Sequence, residues 1–325
     1  MLQDIKFVTL LALITIGAFF GNKHIEKQIN ELNSLEVLKG TKVFAENPNQ
    51  AYADTLINKL GYDSSWEVGE ETGTSDQPLI AGESGFLVDI NTGKVLFAKE
   101  GTKQLPIASL TKIMTAVVAL EHAAPTKKIF VTRNAAYVGE NTMYLTAGET
   151  YTLEELLYGL LLNSGNDAAY AIAEGVAGDF DTYVEWMNVK AKELGMNNTI
   201  YKDPSGLNDG NLSSGEDLVK LTRYAMGFDL FAKIVATKTY EISSDTHKTT
   251  YLENQTNLLG TYPGVAGVKT GYTEVAGLCL VTYASNEGHD LVGVVLNSID
   301  RKGDMILMLD HGFWTLGLDI EHNLL

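Results

Sequence analysis

The sequence predicts an α/β protein of the α+β kind, a mainly antiparallel sheet flanked by helices, with a helical insertion between its N- and C-terminal strands. Three observations carry that expectation. Alternating apolar runs of one character occur at both ends of the region from 79 onward, "FLVDINTGKVLFAK" early and "GLCLVTYASNEGHDLVGVVLNS" late. The late pair is joined by the short turn "SNEG", which only antiparallel neighbours can use. Between the two ends, from about 126 to 229, the apolar period lengthens from two residues to that of a helix.

Each segment has a local reason. Phe7–Phe20 is an apolar run of 14 residues behind Lys6, the size of a signal-peptide core, and Ile5 and Gly21 extend it to a thin or tilted anchor. Phe19 and Phe20 stand where cleavage needs small residues, so residues 1–21 read as an uncleaved membrane anchor, with a removed signal peptide as the alternative. Residues 22–78 are polar and end in the acidic run "DSSWEVGEETGTSDQP", a linker that as a flexible coil would reach roughly 40 Å. Residues 79–325 then form the compact domain. "NTGK" is a hairpin turn with Gly93 at positive φ. "IASLTKIMTA" reads as a helix apolar on both sides. Thr152 and Glu155 form a capping box before "LEELLYGLLL". Helices follow over 168–176 and over 181–194, the latter stopped by Gly195, and another begins at a Ser213/Glu216 box. From about 238 the strands are "KTYEIS", "GVAGVKTGYT", "GLCLVTYA" and "HDLVGVVLNS", and "GDMILMLDHGFWTLG" is a closing helix.

Composition narrows function. A net charge of −17 argues against nucleic acid as a partner, because a phosphate backbone calls for clustered Lys and Arg. The single Cys279 lies in an apolar strand and reads as a buried thiol without a disulfide partner. The six histidines show no zinc spacing, "DINTGK" lacks the acids of a calcium loop, and no G-x-S-x-G elbow occurs. No cofactor or metal is expected.

Three short motifs carry chemistry. Ser109 and Lys112 are spaced so that their polar ends meet on one helix face, within an apolar stretch where an ammonium is costly. Ser164 and Asn166 follow a buried helix, where a structural stop is the alternative reading. Lys269, Thr270 and Gly271 sit in a strand whose glycine lets something approach the backbone. Together they supply an activated serine, a lysine base whose pKa burial and a second cation (Lys269) would lower, a proton relay at Ser164, an amide holder at Asn166, and a strand edge for a peptide. Backbone N–H groups of Ser109 and Tyr272 are candidates for an oxyanion hole.

In order and spacing these motifs, with "LPIASLTKIMTA", "MYLTAGETYTLEELLYGLLLNSGNDAA", "DPSGL" and "GVKTGYTEVAGLCLV", resemble those of serine D-alanyl-D-alanine carboxypeptidases, the low-molecular-mass penicillin-binding proteins. The resemblance covers about 79–325. It implies a β-lactamase/D,D-peptidase-like fold and an acyl-enzyme on Ser109 formed from a peptidoglycan stem peptide with loss of terminal D-alanine. It also implies inhibition by β-lactams and a place in a bacterial cell envelope, outside the cytoplasm; the apolar N-terminal segment is expected to supply the contact with the cytoplasmic membrane. Arg301 matches the family's carboxylate-binding arginine, and Thr270 adds a hydroxyl. Two departures stand out: relatives often carry histidine at Ser205, and no counterpart of their C-terminal β-rich domain and membrane helix appears before Leu325. A D,D-endopeptidase, a class A β-lactamase and a non-catalytic wall-binding relative remain as alternatives.

Overall fold

The computed structural model describes residues 66–69, 77–256 and 258–324. The apolar run Phe7–Phe20 and most of the polar linker lie outside the described residues. Among the described residues no helix is long and apolar enough to cross a membrane.

The chain enters through a hairpin of β1 (Ser84–Asp89) and β2 (Val95–Lys99). Gly93 turns it at φ +76°, its N–H donating to Asp89 O at 2.8 Å, and a Cβ there would stand 2.7 Å from Glu67 O. β3 (Leu105–Pro106), a 3₁₀ turn at Ala108–Leu110 and α1 (Thr111–His122) follow. Next come β4 (Lys128–Phe130), α2 (Arg133–Ala136), β5 (Thr150–Thr152), α3 (Leu153–Leu161), α4 (Asn166–Ala177) and α5 (Phe180–Glu193). β6 (Leu212–Ser213), α6 (Gly215–Met226) and α7 (Asp229–Val235) complete the middle of the chain. The last part holds β7 (Thr239–Ser244), β8 (His247–Glu253), β9 (Val265–Thr273), β10 (Gly277–Asn286), β11 (His289–Ser298) and α8 (Arg301–Thr315).

The main sheet has the order β2-β1-β11-β10-β9, antiparallel throughout. The first hairpin joins the last strands through β1 on β11, with Ser84 opposite Leu296 and Asp89 opposite Leu291, as the sequence predicted. Alternation along β11 explains the two layers. Leu291 and Val295 face α8 with Met305, Ile306, Leu309 and Phe313, whereas Val292, Val294 and Leu296 join the larger core with α1 and α6. Each such fully buried aliphatic side chain contributes about 1.5–3 kcal/mol. β9 is left as an edge strand, with one side open to a partner.

Two details differ from expectation. "KTYEIS" does not join the sheet; β7 pairs with β8 in a separate hairpin, because only Ile242 of β7 is fully buried and one apolar contact cannot hold a central position. The cap of α6 is Ser214, whose side chain accepts from Asp217 N at 3.3 Å; Ser213 instead meets Thr199 Oγ1 at 2.8 Å.

The Thr152 box does form, Oγ1 accepting from Glu155 N at 3.2 Å while Glu155 Oε2 accepts from Thr152 N at 2.6 Å. Thr152→Ala is therefore expected to destabilise the fold by about 1 kcal/mol in a denaturant titration. No loss would show that the buried face of α3 alone sets its start.

Candidate active site

The turn bearing Ser109 precedes α1. Ala108 adopts φ +46°, Ser109 lies in the 3₁₀ turn, and α1 starts only at Thr111. The two polar residues thus straddle a 3₁₀–α boundary rather than sharing one helix, yet Lys112 Nζ lies 2.9 Å from Ser109 Oγ. Thr111 Oγ1 donates to Ala108 O at 2.8 Å and accepts from Asn211 Nδ2 at 2.9 Å, which pins the turn.

Lys112 has no exposed surface. Its Nζ also donates to Asn166 Oδ1 at 2.8 Å and to the Ser205 carbonyl at 2.6 Å. Those two partners only accept, whereas the serine hydroxyl can donate. A neutral amine has two N–H bonds and one lone pair, so the geometry suits it: both hydrogens go to the carbonyls and the lone pair faces Ser109 Oγ. Burial brings the Lys112 pKa down to about 7, against the opposing charges of Asp203 and Asp167.

Lys269 is equally buried, 1% exposed, on β9, with Nζ donating to Thr270 O at 3.0 Å. Burial pushes its pKa well below the ordinary lysine value, and the nearby Lys112 and Arg301 push it further. Sequence reasoning looked to burial together with Lys269 for the low Lys112 pKa; burial is what lowers it, and the repulsion between the two amines acts on Lys269.

Ser164 follows α3 at φ +58°, 1% exposed, with an Oγ that has no hydrogen-bond partner among the described residues. A buried hydroxyl without a partner is costly, so its orientation toward the cleft calls for a functional reason. Asn166 opens α4 and is oriented from both sides: Nδ2 donates to Gly139 O at 3.0 Å and the backbone N–H to Asn141 O at 2.7 Å. The next residue, Asp167, accepts from Met143 N and Leu145 N at 3.0 and 2.9 Å and so ties this wall to the helix.

A cleft of about 490 Å³ is lined by Ser109, Ser164, Asn166, Thr270, Gly271, Tyr272 and Arg301, among others. Gly271 is where β9 passes closest to the nucleophile turn, since a Cβ there would meet Ile107 O at 3.0 Å and Ser109 N at 3.2 Å. Arg301, first residue of α8, donates from Nη1 to Gly271 O at 2.9 Å. Ser109, Lys112 and Asn166 are thus linked by hydrogen bonds, Lys269 is buried on β9 beside the cleft-lining Thr270, and the remaining expected site residues line the cleft.

Several contributors escaped sequence reasoning. The "DPSGL" loop is folded around Asp203, whose Oδ1 accepts from Ser205 N and Gly206 N, both at 2.6 Å, and whose Oδ2 accepts from Asn208 N at 2.5 Å. That wrapping aims the Ser205 carbonyl at Lys112, so the backbone, not the side chain, of residue 205 meets the amine. An Asp followed by Pro, Ser and Gly is a turn signal; nothing local says where such a turn points. Glu174, the residue a class A β-lactamase reading would need, lies on α4, accepts from Thr132 Oγ1 at 2.5 Å and borders a different depression with Phe130 and Phe180.

Comparison with known proteins identifies the family. A family model described as D-alanyl-D-alanine carboxypeptidase, Peptidase_S11, matches residues 71–300. The chain is 36% identical over 240 residues to the D-alanyl-D-alanine carboxypeptidase DacF of Bacillus subtilis, covering 71% of this chain and 62% of that relative. To the D-alanyl-D-alanine carboxypeptidase of Streptomyces sp. strain K15 it is 33% identical over 259 residues, 73% of this chain and 89% of the relative. A D-alanyl-D-alanine endopeptidase of Escherichia coli is 32% identical over 241 residues, 70% and 75% of the two chains. The crystal structure of the Streptomyces K15 DD-transpeptidase superposes with a TM-score of 0.70 at 33% identity, over 74% of this chain and 99% of that one. With a family match across well over half its length, the chain belongs to the D-alanyl-D-alanine carboxypeptidase family Peptidase_S11.

Proposed function

We propose that this chain is a penicillin-sensitive serine D-Ala-D-Ala carboxypeptidase acting on peptidoglycan stem peptides. The observation that carries the reading is Lys112 Nζ, fully buried, set between two carbonyl acceptors and Ser109 Oγ. The neutral amine takes the hydroxyl proton as Oγ attacks the penultimate D-alanine carbonyl. The oxyanion is met by the N–H groups of Ser109 and Tyr272, a contribution of about 3 kcal/mol per donor in such sites. Collapse breaks the peptide bond, and the leaving amine of D-alanine receives a proton through Ser164. Water then attacks the acyl ester with Lys112 again as base, releasing the shortened peptide and restoring Ser109.

Binding follows from the edge strand. Tyr272 and its neighbours offer backbone groups to an extended peptide, Asn166 holds a substrate amide, and Lys269, Thr270 and Arg301 supply the hydroxyl and positive charge for the terminal carboxylate. β-lactams, which mimic the dipeptide, acylate the same oxygen. Hydrolysis of cross-linked peptides would use the same residues, and the Escherichia coli relative carries that name. We place the domain of 79–325 outside the cytoplasm at the bacterial envelope, held to the membrane by residues 1–21 through the linker 22–78; the 14-residue apolar run supports this.

The test supplies the purified protein with a stem pentapeptide, a cross-linked dimer and a labelled penicillin. Free D-alanine from the pentapeptide and one adduct on the peptide containing Ser109 are expected. An adduct elsewhere, or cleavage of the dimer alone, would overturn the assignment.

A further inference from the structure

The charges along β9 are sorted by sign. At its middle lies Lys269, with the guanidinium of Arg301 just beyond against Gly271. At and past its end stand Asp209 and Glu274, both exposed and both lining the catalytic cleft, which Glu140 lines as well. Asp209 is fixed there, its Oδ1 accepting from Thr273 Oγ1 at 2.6 Å. The buried Ser164 Oγ, without a hydrogen-bond partner among the described residues, opens onto the same cleft, so these carboxylates border a site already built for a ligand.

An added peptide strand running antiparallel to β9 would put its C-terminal carboxylate near Lys269 and Thr270. Its preceding residues would run past Tyr272 toward Asp209 and Glu274. A parallel strand would set carboxylate against carboxylate, so the charge sorting also selects the direction. The residue just before the D-Ala-D-Ala dipeptide then has its side chain within the acidic end of the cleft.

Resting on the function proposed above, we infer that Asp209 and Glu274, aided by Glu140, select stem peptides whose residue before D-Ala-D-Ala carries a free side-chain ammonium. A stem whose amine is already an amide, as after cross-linking, has lost the charge that this end attracts. The enzyme would therefore trim un-cross-linked stems first.

The probes are Nα-acetyl-L-Lys-D-Ala-D-Ala and its Nα,Nε-diacetyl counterpart, compared by kcat/KM at low ionic strength on the full chain. The free amine is expected to be favoured roughly three- to ten-fold, the range for two solvent-exposed ion pairs. Added salt should shrink that ratio, and in Asp209→Asn/Glu274→Gln, which keeps the acceptor for Thr273, it should approach one. Equal use of both peptides by the wild type, a ratio indifferent to salt, or a ratio surviving in the double variant each overturns the inference. No D-alanine from either peptide would instead strike at the carboxypeptidase reading itself, so the two failures are distinguishable.

Discussion

Lys112→Met is expected to stay folded and to lose penicillin acylation by about 10³-fold, the scale of a positioned general base. Methionine nearly fills the volume of the lysine, so no large cavity opens at this fully buried position. What is removed is the lone pair facing Ser109 Oγ. Asn166 Oδ1 and the Ser205 carbonyl lose a donor, which costs about 1–3 kcal/mol for each group. Relief from burying an amine offsets part of that. The pH dependence has a definite sign. Burial lowers the amine from 10.5 to about 7, so below about 7 the lone pair is protonated and acylation by the wild type falls; it rises through about 7 and then levels. Stability follows the same proton. Between about 7 and 10.5 the unfolded chain binds more protons, so wild-type stability rises with pH across that window relative to the methionine variant, and the difference is flat below about 7. Stopped-flow acylation and chemical denaturation measure the two halves separately. Normal labelling of Lys112→Met would assign the base elsewhere.

Much of the fold was legible because it rests on period and turn chemistry. Thr152 with Glu155, Gly93 in "NTGK" and the "SNEG" turn are local devices, and the structure uses all three. The alternation along β11 also carries both layers in one strand. The separate pairing of strand β7 and the shifted cap at Ser214 were not legible because both depend on which neighbours a segment meets in the fold, as Ser213 meets Thr199. The site divides in the same way. Ser109, Lys112, Ser164, Asn166 and Lys269 stand out because polar side chains in apolar runs need reasons. The Ser205 carbonyl, which touches Lys112, leaves no mark in a sequence, since every residue has a carbonyl and only the wrapping of Asp203 aims this one.

That wrapping also makes Gly206 the position at which a single methyl group should do most damage. Gly206 sits at φ +87°, and a Cβ there would lie 2.0 Å from Ala108 O and 2.9 Å from Ser109 N, both backbone atoms of the nucleophile turn. Backbone cannot swing aside as a flexible side chain can, so either the loop or the turn must move. Gly206→Ala is expected to cost roughly 2–4 kcal/mol, combining left-handed strain with overpacking. Acylation should slow by about 10²-fold, because displacing Ser109 by about 1 Å spoils its alignment with Lys112 and with the oxyanion donors. Gly178→Ala separates the two contributions: its φ is +93°, but nothing lies within 4 Å of the added carbon. That variant should be destabilised by about 1 kcal/mol and acylate at the wild-type rate. If both variants lose activity alike, close contact with the Ser109 turn is not what position 206 provides; if only Gly206→Ala does, the loop sets the nucleophile in place through its backbone.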